Sequence, residues 1–250
     1  VILGNKSTFK GKGYVCFIDV LGFSADILNN WDSSENNPLD KILSIKSKMP
    51  VFDEVEPKEG SLRQYVCKVN TVSDSVTICF GFEDELIVGD LVLGLESVIA
   101  NVSYIWSTFI QEGYTIRGAI DFGDIYWDQN EIIGPSFINS YRLESTAAKT
   151  SRVLVSSGLN KLLGNLYKNP LNPLTEYLTR NFTKDVDGYV IVDPNVIYSS
   201  DEERVYLLDK LTTMRDAVKS PIVKEKYTSL IHLLNEAKAV RLEPEEYGRY

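Results

Sequence analysis

The sequence predicts an α+β fold, in which a mostly antiparallel sheet carries helices packed against it. Three observations predict it. Short apolar, β-branched strands come in pairs joined by turns, and each strand pair is followed by one long helical periodicity. A doubly wound parallel sheet would alternate single strands with helices instead. Third, at 250 residues, with 44% apolar and 24% charged, the chain can bury a core of ordinary size.

The elements follow in order. Residues 14–20 (YVCFIDV) form an apolar, aromatic run that reads as a buried strand. It ends in LGFS, residues 21–24, a turn into a helix. The polar stretch WDSSENN precedes Pro38, which suits the first position of a short helix carrying Leu39, Ile42, Leu43 and Ile45. Residues 53–60 are acidic and loop-like. Residues 64–69 and 75–82 then read as two strands, joined by NTVSD, so Asp74 sits at a hairpin tip.

A long apolar-rich helix is expected over residues 85–112, ending near Gly113. Residues 114–122 and 123–127 read as another strand pair, followed by a turn at 128–130 into Glu131, Ile132 and Ile133. A second long helix spans about 136–149, and residues 152–156 and 188–192 are strands. Residues 200–218 and 221–240 carry helical periodicity around a break at Lys219 and Ser220, with Pro221 as a first helical residue. The expected organisation is an α+β domain over residues 14–198 and a helical extension over 199–250.

Charge narrows the partners. A net charge of −9 repels nucleic-acid backbone and anionic membrane, so neither is expected as a partner. No uninterrupted apolar run of the ~18–20 residues of a membrane span is present. The first twelve residues lack the apolar centre of a signal peptide, so a cytoplasmic location is expected. Cys16, Cys67 and Cys79 lie in apolar stretches and read as reduced core thiols.

Few residues stand out for chemistry. Asp19 interrupts an apolar strand near its end, where a carboxylate is costly unless paired or bound to a cation. Asp74 sits between two serines at a turn, where a turn-capping role competes with cation binding. Two aspartates facing one cavity suit Mg²⁺ or Mn²⁺ shared with substrate phosphates. His232 lies in an apolar helical run and reads as a helix-face residue; the aromatics Tyr104, Trp106 and Phe109 read as core or dimer contacts. The Gly11-Lys12-Gly13 run lacks the length and trailing Ser/Thr of a phosphate loop.

Four ordered segments carry more. FIDVLGFS at 17–24, NTVSD at 70–74, RGAIDFG at 117–123 and GPSFINSYRLE at 134–144 resemble, in the same order, the landmarks of the class III nucleotidyl cyclase family. The resemblance covers about residues 14–156. It implies a ferredoxin-like βαββαβ cyclase core, with residues 14–198 as the catalytic domain and the C-terminal helical hairpin appended. By this resemblance Asp19 and Asp74 are the carboxylates that bind two metal ions, and the carbonyl of Val20 is a further ligand. The turn at 21–24, including Phe23, cradles the triphosphate with backbone N–H groups. Arg117 and Arg142 clamp the triphosphate and the charge of the transition state. Active sites form between two subunits, which implies a homodimer.

Departures from the family point to the base. Asn70 stands where purine cyclases place a base-reading Lys, and Glu131 where they place an Asp. Ile138 stands at the position of the transition-state Asn, with Asn139 one residue later, and Ser73 replaces the Gly before the second metal Asp. With these changes the chain resembles the bacterial pyrimidine cyclases of the Pycsar antiphage system, which implies Mn²⁺ (or Mg²⁺) and UTP or CTP. Tyr14 is either a wall of the base pocket or a core residue. An adenylate cyclase, or an inactive nucleotide-binding and dimerisation module, are the other readings.

Overall fold

The computed structural model describes residues 8–49, 65–82, 88–167 and 180–235. Its first strand, β1, spans Phe9–Leu21, longer than the apolar run alone predicts. The extension is the glycine-rich segment before Tyr14. Its glycines are spacing residues: a Cβ on Gly13 would lie 2.4 Å from the carbonyl oxygen of Phe80, so only glycine lets the two strands approach. Helices α1 (Phe23–Asn30) and α2 (Pro38–Lys48) follow. Asn37 caps α2 by accepting a hydrogen bond from the Leu39 N–H, and Pro38 occupies the first turn as expected.

Strands β2 (Val66–Val72) and β3 (Ser75–Phe82) form the expected hairpin. Helix α3 (Val88–Gln111) leads to β4, Thr115–Trp127. β4 is one continuous strand, not the strand pair that residues 114–127 predict. Gly123 pairs in register with Gly13, so the ladder runs straight through the glycine rather than turning there. Ile132–Ile133 (β5) folds back onto the end of β4. Helix α4 (Pro135–Ala147) and β6 (Val153–Val155) follow.

Helix α5 (Ser157–Tyr167) and strand β7 (Phe182–Lys184) are not anticipated by the sequence reading. β8 (Val190–Val192) then leads through a short 3₁₀ turn at Pro194–Ile197 to helices α6 (Asp201–Ala217) and α7 (Pro221–Asn235). The acidic loop predicted at 53–60 and the last residues of the predicted second tail helix lie outside the described residues.

The strand order is β2-β3-β1-β4-β6-β8-β7. Its first four strands are all antiparallel neighbours, with β1 central between β3 and β4. That is the ferredoxin-like βαββαβ arrangement, an α+β core as expected. β6 extends it by pairing parallel with β4, and β8 and β7 add antiparallel.

Alternation along the strands divides the side chains between two faces. One face, with Tyr14, Cys16, Ile18, Ile78, Phe80 and Ile116, packs under α3 in the main core. α3 is long and apolar enough to cross a membrane, with a mean hydropathy of 1.4 over an 18-residue window, though polar residues interrupt it; its apolar residues are largely buried in this core. The tail helices join the same core through Leu207, Leu211, Leu230 and Leu234. Arg204 ties them together, donating Nε–H and Nη2–H to the Leu234 carbonyl at 3.0 and 2.8 Å. The other face of the sheet carries α4. The three cysteines are buried, with no disulfide among the described residues.

Candidate active site

Register builds the site. Across the sheet, Val72, Ser75, Asp19 and Arg117 are successive partners on β2, β3, β1 and β4. The next row on the same face is Asn70, Thr77, Phe17 and Ala119. Asp19, Asn70 and Arg117 therefore share one face, the one that α4 partly covers. Because Asp19 pairs with Ser75, the hairpin tip bearing Asp74 lies at the end of the strand beside Asp19.

That tip is a two-residue turn. Ser73 adopts φ +52, the left-handed region that glycine favours, and Ser75 Oγ donates to the Val72 carbonyl at 2.8 Å. Glycine would suit this position better than serine for that conformational reason. Ser73→Gly is expected to raise stability by about 0.5–1 kcal/mol, read as an increased midpoint in urea denaturation; an unchanged or lowered midpoint would show that the turn carries no strain.

Asp19 is half-buried and engaged. Arg117 donates Nε–H and Nη2–H to the same oxygen, Oδ2, at 3.0 and 2.8 Å, and its Nη1 reaches the Ala148 carbonyl at 3.4 Å. Glu144 of α4 stands on the other side of the guanidinium. Its Oε1 lies 2.8 Å from Arg117 Nε, yet that N–H points to Asp19, so Oε1 is a charge neighbour with no hydrogen bond. Glu144 is only 2% exposed. Burial, aided by the charge of Asp19, pushes its carboxyl up to about 7 against the pull of Arg117.

Such a raised pKa means that the folded chain binds a proton which the unfolded chain releases above pH ~4.5. The associated stability is complete below that pH and is lost as pH rises through about 7. Glu144→Gln mimics the protonated side chain. It is expected to be near neutral at pH 5 and stabilising by on the order of 2 kcal/mol at pH 8, measured by urea denaturation. Equal effects at both pH values would show that Glu144 does not change protonation between them.

The sequence reading did not assign a role to Glu144. A signal was present: Phe137, Ser140 and Glu144 recur at helical spacing, which puts the carboxylate on the sheet-facing side of α4.

The remaining predicted residues distribute as follows. Phe23 is buried and packs edge-on to Tyr114, anchoring the turn after β1. Gly22 takes the N-cap position of α1 at φ +88 with no side-chain cap, so the first N–H groups of the helix meet no capping side chain. Val20 points its side chain into the main core, which leaves only its carbonyl as a possible ligand atom.

Tyr14 is not brought to the site. It lies on the opposite face from Asn70, fully buried, and donates to the Leu91 carbonyl at 2.8 Å, so the core reading replaces that of a base-pocket wall. Glu131 is exposed in the turn after β4. Lys68, on the same face as Asn70, donates to the carbonyl of Asp128, the first residue of that turn. This contact draws the Glu131 turn against β2. The N–H groups of Asn130 and Glu131 hold the Asp128 carboxyl below the usual range.

Arg142 is exposed on α4 and takes no part in the Asp19–Arg117–Glu144 cluster. Ile138 is exposed as well, while Asn139 donates to Asp121 Oδ2 at 3.1 Å, and Asp121 also accepts from Ser156. Among the described residues no three His, Cys, Asp or Glu side chains are gathered as a preformed metal cage. Two carboxylates and a carbonyl nevertheless fit a hard dication that completes its shell with phosphate oxygens and water. A cavity of about 450 Å³ between Lys10, Tyr126, Ile133 and Pro135 lies toward the far end of β4 and does not include Asp19 or Arg117.

The sequence matches no protein-family model and no curated protein. Among solved structures the chain is similar to the crystal structure of a class III adenylyl cyclase-like ATP-binding protein from Pseudomonas aeruginosa, at 14% identity and a TM-score of 0.45. The match covers 65% of this chain and 37% of that one, so the chain spans well under half the length of that protein. The likeness is too remote to carry residue roles across.

Proposed function

We propose that the chain is a pyrimidine nucleotidyl cyclase, converting UTP or CTP to the 3′,5′-cyclic nucleotide and pyrophosphate, as a second-messenger synthase in antiphage defence. One observation supports this above others: strand register puts Asp19, Arg117 and Asn70 on one sheet face, with the Asp74 turn at its edge. These are the residues that the ordered motifs single out, and they are far apart in sequence.

In this reading Asp19, Asp74 and the Val20 carbonyl hold two Mn²⁺ (or Mg²⁺) ions. When bound, the ions supply a lowered pKa at the ribose 3′-hydroxyl and neutralise triphosphate charge. The uncapped start of α1 offers N–H groups to the triphosphate. Arg117 clamps its charge. The 3′-hydroxyl gives its proton to water, the 3′-oxygen bonds to the α-phosphorus in line, the α-phosphorus to bridging-oxygen bond breaks, and pyrophosphate leaves with the electron pair. Asn70 offers both a donor and an acceptor to a base edge, and Glu131 an acceptor. Arg142, exposed on α4, serves the site of a second copy in a homodimer.

A specific observation favours a second reading. Ile138 presents an apolar side chain where a transition-state amide is expected, and Asn139 is engaged by Asp121. That arrangement favours a nucleotide-binding module without turnover. Incubation of the purified chain with Mn²⁺ and each NTP separately decides between them. Cyclic product from UTP or CTP alone is expected; product from ATP alone would make the chain an adenylate cyclase, and none from any NTP would favour the module.

A further inference from the structure

Arg117 spends two N–H groups on a single oxygen of Asp19, at 3.0 and 2.8 Å. A second carboxylate oxygen, Glu144 Oε1, lies 2.8 Å from the same Nε and accepts no hydrogen bond. A buried acceptor left unpaired is unfavourable. The guanidinium is thus poised between two carboxylates, one of them half-exposed and one almost fully buried. Its third corner is held near the Ala148 carbonyl, so passing from one carboxylate to the other requires a small pivot rather than a swing.

We propose that Arg117 is a tethered counter-ion which occupies Asp19 until a divalent cation binds there, and that Glu144 then takes it over. This rests on Asp19 being a metal ligand. A dication and a guanidinium on one carboxylate repel each other. The open oxygen of Glu144 relieves that repulsion and gains the hydrogen bond it lacks. Glu144 is a positioning residue that acts through Arg117. The chain therefore carries a built-in competitor for its own metal, together with a place to put the competitor.

The test is Mn²⁺ binding by the full chain without nucleotide, followed by electron paramagnetic resonance of the free ion. Arg117→Gln is expected to bind Mn²⁺ roughly tenfold more tightly than the wild type, and Glu144→Gln several-fold more weakly. The double variant is expected to bind as Arg117→Gln does, because Glu144 acts only through Arg117. An Arg117→Gln affinity at or below that of the wild type overturns the proposal, as does a Glu144→Gln loss that persists in the double variant. Wild-type protein gives an independent measurement: saturating Mg²⁺ should shift the Arg117 Nε–H resonance, and an unmoved resonance overturns the proposal. Absence of Mn²⁺ binding by both the wild type and Arg117→Gln overturns the metal assignment as well. Binding that Asp19→Ala abolishes, with no gain in Arg117→Gln, overturns this proposal alone.

Discussion

Asp19→Ala is expected to lower cyclic-nucleotide formation by at least roughly 10³-fold while leaving the fold intact. The two halves of that result have separate causes. Turnover falls because the carboxylate that would hold the metal is gone. The fold holds because Arg117 keeps Glu144 and the Ala148 carbonyl as partners, so no buried charge is stranded. Asp74→Ala is expected to match it in activity, as the second carboxylate of the metal assignment, and to keep the fold, since Asp74 sits at a hairpin tip outside the core. Cyclic product measured by mass spectrometry, alongside a thermal melt, checks both variants. Full activity in either would sink the metal assignment. A collapsed melt for Asp19→Ala would mean instead that Asp19 is chiefly the structural counter-ion of Arg117.

The largest expected stability effect lies elsewhere, at Arg152. This residue immediately precedes β6, is 5% exposed, and pairs with Asp185 and Asp187 in the loop between β7 and β8. Its Nη2 also donates to the Ala147 carbonyl at 2.8 Å, at the end of α4. Burial opposes its charge, but the hydrogen bonds to Asp187 and Asp185 outweigh that and hold the guanidinium above its ordinary pKa.

Arg152→Met keeps the bulk and removes the charge, which leaves Asp185 buried without its cation. A loss of about 3 kcal/mol is expected in urea denaturation. Arg152→Met/Asp185→Leu should recover part of it, because the penalty belongs to the stranded carboxylate rather than to the missing pair. A loss under roughly 1 kcal/mol would show that water reaches Asp185.

Much of the fold was legible because its signals are local. The apolar run YVCFIDV, the Pro38 and Pro221 helix starts and the hairpin at NTVSD each record a strand, a cap or a turn in a few residues. The misses come from places where distant packing decides. Residues 114–127 contain a glycine that reads as a turn, but it is opposite Gly13 in the sheet and needs no turn at all. Helix α5 contains Gly158 and Gly164, which weaken its local propensity; burial of Leu159, Leu163 and Leu166 stabilises it.

The candidate site divides in the same way. Asp19 was visible as a charge in an apolar strand. Its partnership with Arg117 was not, because register across 98 residues of sequence separation is a property of the whole sheet. The two readings of Tyr14, pocket wall or core residue, are resolved to the core by the same kind of information. A side chain's face follows from alternation along its strand, and four residues from Tyr14 to Ile18 keep the same face while Asp19 falls on the other.

The missing side chain at Gly81 has an optical consequence. It leaves room for Trp127, whose ring stacks on Phe9 at 4.4 Å between centroids and whose indole N–H finds no acceptor. An indole in so dry a setting emits at short wavelength, whereas Trp31, half-exposed, emits to the red. Trp127 thus reports on the first turns of β1. Trp106, equally buried but in the main core, emits from a separate place, so in a Trp106→Phe variant loosening of Phe9 would redden and dim the Trp127 emission, a label-free signal for the docking of the chain's own first strand.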